Sequence, residues 1–251
     1  MSFMNSLSEE EANIIAIPFA GGNAYCYKEI ENHVKGNFKW VTLELPGRGS
    51  RFKEALLSDI REMVDDLYHS LILHVKKKSY VLYGHSMGTV IGYELVKKLI
   101  ENDMPLPLCA LFTGRGAPNT VMTKKRSAMP EKMFWEEVSS IGGLPKEILK
   151  NKELLDLYYP ILRADFKAIE TYQYTPLKEP FPIPIYICLG KDEIGEGEDR
   201  TSLKEIKDWN NETIYPCKPT FLEGDHFFIL KHPGAVVQLL VNAFEKSKVK
   251  M

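Results

Sequence analysis

The sequence predicts an α/β fold, a mostly parallel central sheet with helices on both faces. Three observations carry this. Short runs rich in β-branched and aromatic residues alternate with helix-length segments, as strands joined by helical crossovers do. The runs are almost continuously apolar, which suits strands covered on both sides. One interval, between the fourth and fifth runs, is several times longer than a crossover helix requires, so something is inserted there.

The expected strands cover residues 14–19, 40–45, 80–83, 109–113, 185–189 and 220–222. Between the second and third, Ile60, Met63, Val64, Leu67, Leu71 and Val75 recur at three-to-four-residue spacing, the apolar stripe of an amphipathic helix. Residues 87–100 and 235–244 read the same way. Ser202 followed by Glu205 is a capping box opening a short helix toward Trp209. In the long interval, Met133, Phe134, Trp135 and Val138, then Leu154, Leu155, Tyr158 and Ile161, mark at least two further helices, with Gly142, Gly143 and Pro145 as breakers. The expected organisation is one domain, 1–251, with a helical lid, 117–174, inserted in it. Most of the lid aromatics, including Tyr159 and Phe166, are expected to form the lid's own core.

Composition narrows the function. The 251 residues carry 32 basic and 34 acidic side chains for a net charge of −2, so no general attraction to nucleic acid is expected. No apolar run approaches the roughly 20 residues that span a bilayer, and residues 1–11 lack the pattern of a secretory leader; no membrane association and a cytoplasmic location are expected. Cys26, Cys109, Cys188 and Cys217 are widely spaced and read as reduced thiols without a metal or redox pair.

The chemistry is concentrated after three expected strands. Gly84-His85-Ser86-Met87-Gly88 follows the third and opens a helix, the context in which G-x-S-x-G lifts a serine hydroxyl above the sheet edge. A serine needs a base and an orienting acid, which in this topology follow in the order acid, then histidine. Asp192 stands just past the fifth strand and His226 just past the sixth. Glu193, Asp199 and Asp165 remain alternatives to Asp192, and His232 to His226. The two oxyanion donors are expected to be the Met87 amide and one from Pro18-Phe19-Ala20-Gly21-Gly22, that of Ala20 or Phe19.

Those segments, with Glu44-Leu45-Pro46-Gly47-Arg48-Gly49-Ser50-Arg51, Leu162-Arg163-Ala164-Asp165, the Tyr172 and Tyr174 pair, and Gly224-Asp225-His226-Phe227-Phe228, resemble the type II, stand-alone thioesterases of non-ribosomal peptide and polyketide assembly lines. The resemblance covers nearly the whole chain. It implies an α/β-hydrolase fold, a helical lid, and hydrolysis of acyl or aminoacyl groups from the phosphopantetheine arm of carrier proteins, clearing stalled or misprimed groups. It carries the catalytic roles to Ser86, Asp192 and His226. The chain departs from the family at Asp225, where a glycine is common, and at Phe19, where a histidine or tyrosine is frequent. The implied partner is an acyl or peptidyl carrier protein; no cofactor beyond the substrate's own phosphopantetheine is expected, and the protein is expected to be a monomer. Since carriers are usually acidic, Lys124-Lys125-Arg126 is the expected basic rim. The rival readings are an acyltransferase or a small-molecule carboxylesterase using the same triad, and a receptor that keeps the fold without its chemistry.

Overall fold

A computed structural model of the chain describes residues 12–36, 38–75, 79–144, 146–197 and 199–248; residues 1–11, Lys76-Lys77-Lys78 and Pro145 lie outside them. Strand β1 (Ala12–Ile17) leads through helix α1 (Lys28–Glu31) to β2 (Phe38–Thr42), and α2 (Ile60–Val75) leads to β3 (Tyr80–His85). Helix α3 (Met87–Glu101) connects to β4 (Cys109–Thr113). Then α4 (Glu131–Ile141), α5 (Lys146–Lys150) and α6 (Lys152–Thr171) intervene before β5 (Ile185–Gly190). Helix α7 (Leu203–Lys207) precedes β6 (Pro219–Leu222), followed by α8 (Phe228–Lys231) and α9 (Pro233–Lys248).

All strand pairs are parallel, in the order β2-β1-β3-β4-β5-β6. Alternate residues face opposite sides of a strand, and two cores follow. Ile15, Ile17, Leu82 and Phe112 pack with Met63, Leu67, Val90 and Leu95 of α2 and α3 on one face. Ile14, Ala16, Val81 and Tyr83 pack with Ile30, Val236 and Leu240 of α1 and α9 on the other. From β1 the order runs to β2 on one side and to β3 on the other, so the carboxyl ends of β1 and β3 flank the crevice where such sheets bind ligands.

The second strand is displaced from its expectation. It ends at Thr42, yet Leu43 and Leu45 are almost fully buried: Leu43 still donates its amide to Ala16 O of β1 at 2.9 Å, while Leu45 enters the core from the loop. The box at Ser202 and Glu205 forms as expected. Of the inserted helices, α4 and α6 meet around Phe134, Val138, Leu162 and Phe166. Tyr172 and Tyr174, just past α6, anchor its end to the body by donating hydroxyl hydrogen bonds to Glu94 (2.6 Å) and Glu212 (2.9 Å).

Among the described residues no helix is long and apolar enough to cross a membrane, and all four cysteines are free. Burial pushes the Cys109, Cys188 and Cys217 thiols up to about 12, which leaves them inert as nucleophiles.

Candidate active site

Ser86 sits between β3 and α3 with φ +55° and ψ −115°, a backbone conformation that costs energy for a residue with a side chain. Its amide donates to Thr113 O at 2.9 Å, which fixes the turn to β4. The flanking glycines are there for contact distance. A Cβ on Gly84 would lie 2.3 Å from Gly88 O, and one on Gly88 would lie 2.3 Å from Ile17 O. Neither position accepts any other residue without moving strand or helix.

His226 follows β6, and its Nδ1 donates to Glu193 Oε2 at 2.8 Å. Here the structure departs from the expectation of Asp192: the carboxylate that meets His226 is that of Glu193. Past β5 the chain winds into a 3-10 turn, Lys191–Glu193, and successive side chains of such a turn point about a third of a revolution apart. Asp192 is thereby exposed, its amide held by Gly224 O at 3.0 Å. Glu193 turns inward, 5% exposed at its side chain, and its Oε1 accepts from Gly190 N at 2.7 Å. The other acids weighed are engaged elsewhere: Asp165 with Arg48, Asp199 with Arg126 and Lys124. His232 Nε2 meets Glu223 O at 2.9 Å. Asp225 is exposed and paired with Lys231.

Beneath His226 lies His85, fully buried, with ring centroids 4.8 Å apart. Its Nδ1 meets Thr113 Oγ1 at 3.0 Å. Burial, and then the neighbouring His226, hold its pKa well below the usual histidine value, so it stays a neutral support.

The turn after β1 closes with Gly22 N donating to Phe19 O at 2.8 Å. Gly21, at φ +77°, donates its amide to Asp165 Oδ2 at 2.7 Å. Asp165 is completely buried and forms a two-pronged ion pair with Arg48, Nη1 to Oδ2 at 2.6 Å and Nη2 to Oδ1 at 2.8 Å. One pair thus ties α6, the loop after β2 and the turn after β1. The amides of Ala20 and Met87 donate to no protein acceptor among the described residues, and both residues line the same chamber as Ser86, His226 and Glu193. Ser86 and His226 share that chamber without a direct hydrogen bond between them; such bonds often tighten only when substrate binds.

The chamber has a volume of about 1130 Å³. The inserted helices supply an apolar wall that includes Val138, Ile141, Tyr158, Leu162 and Phe166. The expected basic rim is not free. Lys124 pairs with Glu137 at 2.5 Å and with Asp199, Lys125 donates to Glu170 O, and Arg126 is 1% exposed and paired with Asp199 and Glu137. The run clasps the inserted helices to the loop after β5, and its cations are spent within the fold.

This parallel sheet, with a strained serine between β3 and α3 and an acid and a histidine after β5 and β6, is the α/β-hydrolase fold. Residues 12–243 match the thioesterase domain family, and the chain belongs to it: it is a hydrolytic thioesterase. Among curated relatives, it is 26% identical over 239 residues to the gramicidin S biosynthesis protein GrsT of Aneurinibacillus migulanus, covering 94% of this chain and 90% of that one. Among solved structures, ClbQ from the colibactin NRPS/PKS pathway superposes with a TM-score of 0.88 at 26% identity, covering 96% of this chain and all of the other. The type II thioesterase BorB from the borrelidin biosynthetic cluster gives 0.81 at 25% identity, covering 93% and 92%.

Proposed function

We propose that this thioesterase hydrolyses acyl or aminoacyl thioesters on the phosphopantetheine arm of carrier proteins, clearing misprimed or stalled groups from a peptide or polyketide synthetase. The observation that carries the reading is the chamber itself: a serine elbow and a Glu193–His226 pair open into one cavity under helices of the inserted segment. Those helices form the proposed lid, and a chamber walled by them suits a long, narrow arm. The relatives in peptide and polyketide pathways support the substrate class.

In the proposed cycle Ser86 Oγ attacks the thioester carbonyl while His226 takes its proton. Glu193 keeps Nδ1 protonated and stabilises the imidazolium. The tetrahedral oxyanion is met by the Ala20 and Met87 amides, a type of interaction worth about 3 kcal/mol per donor in the barrier. The C–S bond then breaks, and the imidazolium returns its proton to the departing thiolate. Water attacks the acyl-Ser86 ester with His226 again as base, and the acid leaves with the serine regenerated. Every proton and charge has a protein partner, so the cycle calls for no cofactor. The enzyme is proposed to act in the cytoplasm as a monomer.

Carriers loaded with acetyl, aminoacyl or longer acyl groups and followed by intact-protein mass spectrometry test this. Wild type is expected to release free carrier thiol and Ser86→Ala is not. Loaded carriers that persist while small esters are cleaved would make the protein a carboxylesterase, and acyl groups appearing on an added thiol acceptor would make it an acyltransferase. The acid assignment has its own test. Glu193→Gln is expected to lower kcat by about 10⁴-fold, the cost of losing the correct imidazole tautomer, while Asp192→Asn stays within about threefold of wild type.

A further inference from the structure

One wall of the chamber is built unlike the rest. Arg115 stands two residues past β4, next to Gly114, whose Cβ position would lie 3.2 Å from His226 Cε1. It is 9% exposed and lines the chamber. Among the described residues its guanidinium makes one hydrogen bond, a long one from Nη2 to Thr120 O at 3.3 Å, while Nε is buried and finds no partner among them. No carboxylate pairs with it among the described residues. The buried Arg48 has one and the buried Arg126 has two.

Neither Glu205 nor Tyr172 is bonded to Arg115 among the described residues. Glu205 attracts Arg115, but its Oε2 is committed to Ser202 N and Oγ at 2.7 and 2.9 Å. The Tyr172 phenol is engaged with Glu94, and burial raises its pKa, so it is neutral. Desolvation pulls Arg115 down to about 10, which leaves it cationic at neutral pH. The same wall holds two more buried polar atoms without a partner, Asn119 Oδ1 and Thr120 Oγ1. Asn119 is oriented by its Nδ2 donating to Asp208 at 3.1 Å. Buried polar groups are paired in the great majority of cases, and an arginine fork matches a carboxylate in two parallel hydrogen bonds.

We propose that Arg115 is a specificity residue that receives a second carboxylate carried by the acyl group, so that the chamber favours dicarboxylic or acidic aminoacyl thioesters over neutral ones of the same shape. This rests on the thioesterase cycle proposed above and names its substrate class. The apolar wall takes the methylene chain of such a group, and the wall bearing Arg115 takes its charged end.

The test compares carriers loaded with succinyl against succinamyl, and glutaryl against glutaramyl, pairs that differ only in charge at the far end, with butyryl as an apolar reference. Wild type is expected to favour the carboxylate member of at least one pair by tenfold or more in kcat/KM. In Arg115→Gln that ratio should collapse to about one, and the loss should fall at least tenfold more heavily on the carboxylate than on butyryl. Arg115→Lys, which keeps the charge and loses the fork, should lie between. The same comparison with N-acetylcysteamine thioesters removes the phosphate of the arm. An Arg115 effect that is equal for all acyl groups and vanishes on these short thioesters would mean that the guanidinium reads phosphate, and would overturn the proposal. So would a wild type indifferent to the carboxylate, or an Arg115→Gln that lowers all substrates alike. If no carrier is deacylated by wild type that is labelled at Ser86 by a fluorophosphonate, the carrier-directed reading itself has failed, and the short thioesters then decide the role of Arg115 alone.

Discussion

His85 shows what a single side chain does for the site. A neutral imidazole packed under His226 is a flat, uncharged floor, and it stays neutral because protonating it would place a cation in the core beside a second histidine. Since its folded pKa lies below its unfolded value, acid favours the unfolded chain. Stability is fully present above about pH 6.5 and falls as pH drops, at a slope approaching about 1.4 kcal/mol per pH unit. Urea denaturation between pH 7 and 5 should show that slope reduced by about one proton's worth in His85→Asn. The sequence places Ser86, His226, Met87 and Ala20 at one edge of a parallel sheet, because strand-end position is enough to bring them together, and all four line one chamber. It preferred Asp192 to Glu193 because the choice between neighbours depends on the pitch of a single 3-10 turn, which apolar patterning does not encode. Arg115 drew no notice either, since what marks it is the missing partner, and a partner's absence is a fact of three dimensions.

Among elements, the Arg48–Asp165 pair explains motifs that sequence could only match to a family. Arg48 and Asp165 are 117 residues apart in the chain, and their meeting fixes the turn that presents the Ala20 amide. Glu44 does related work nearby, accepting from Ala24 N and Ser50 N at 2.9 and 2.8 Å. A Cβ on Gly49 would collide with the Glu44 carboxylate at 1.9 Å, which accounts for that glycine. Removing one member of a fully buried pair strands the other charge, at a cost of about 3–5 kcal/mol. Asp165→Ala should therefore lose stability on that scale in urea and also slow acylation of Ser86 in single-turnover experiments. Arg48→Met combined with Asp165→Leu should recover much of the stability and little of the rate, because the Gly21 amide still lacks its acceptor.

Over the molecule as a whole, two large cores flank the sheet while α4 and α6 of the inserted segment share a small one of four buried residues, to which α5 adds none. Local opening free energy follows such differences in buried apolar contact. Amide exchange in α4 and α5 is expected to be orders of magnitude faster than in β1, β3 and β4, as read by mass spectrometry; equal protection would mean that lid and body unfold as one unit. The sheet and its covering helices were legible because period and composition specify them directly. The Lys124-Lys125-Arg126 run was not: its charges suggested a docking rim, and only the positions of Glu137, Asp199 and Glu170 show them consumed.

The Asp165 anchor also divides the inserted segment into a fixed part and a replaceable one. Helix α6 carries an acid on which the turn beside the serine depends, so its sequence answers to the chemistry as well as to the substrate. Helices α4 and α5 carry no such obligation and can diverge with the cargo. Chimeras between relatives of this chain should therefore tolerate exchange of α4 and α5 and fail when α6 is exchanged without its matching arginine loop, which makes the first two helices the natural place to re-engineer substrate preference.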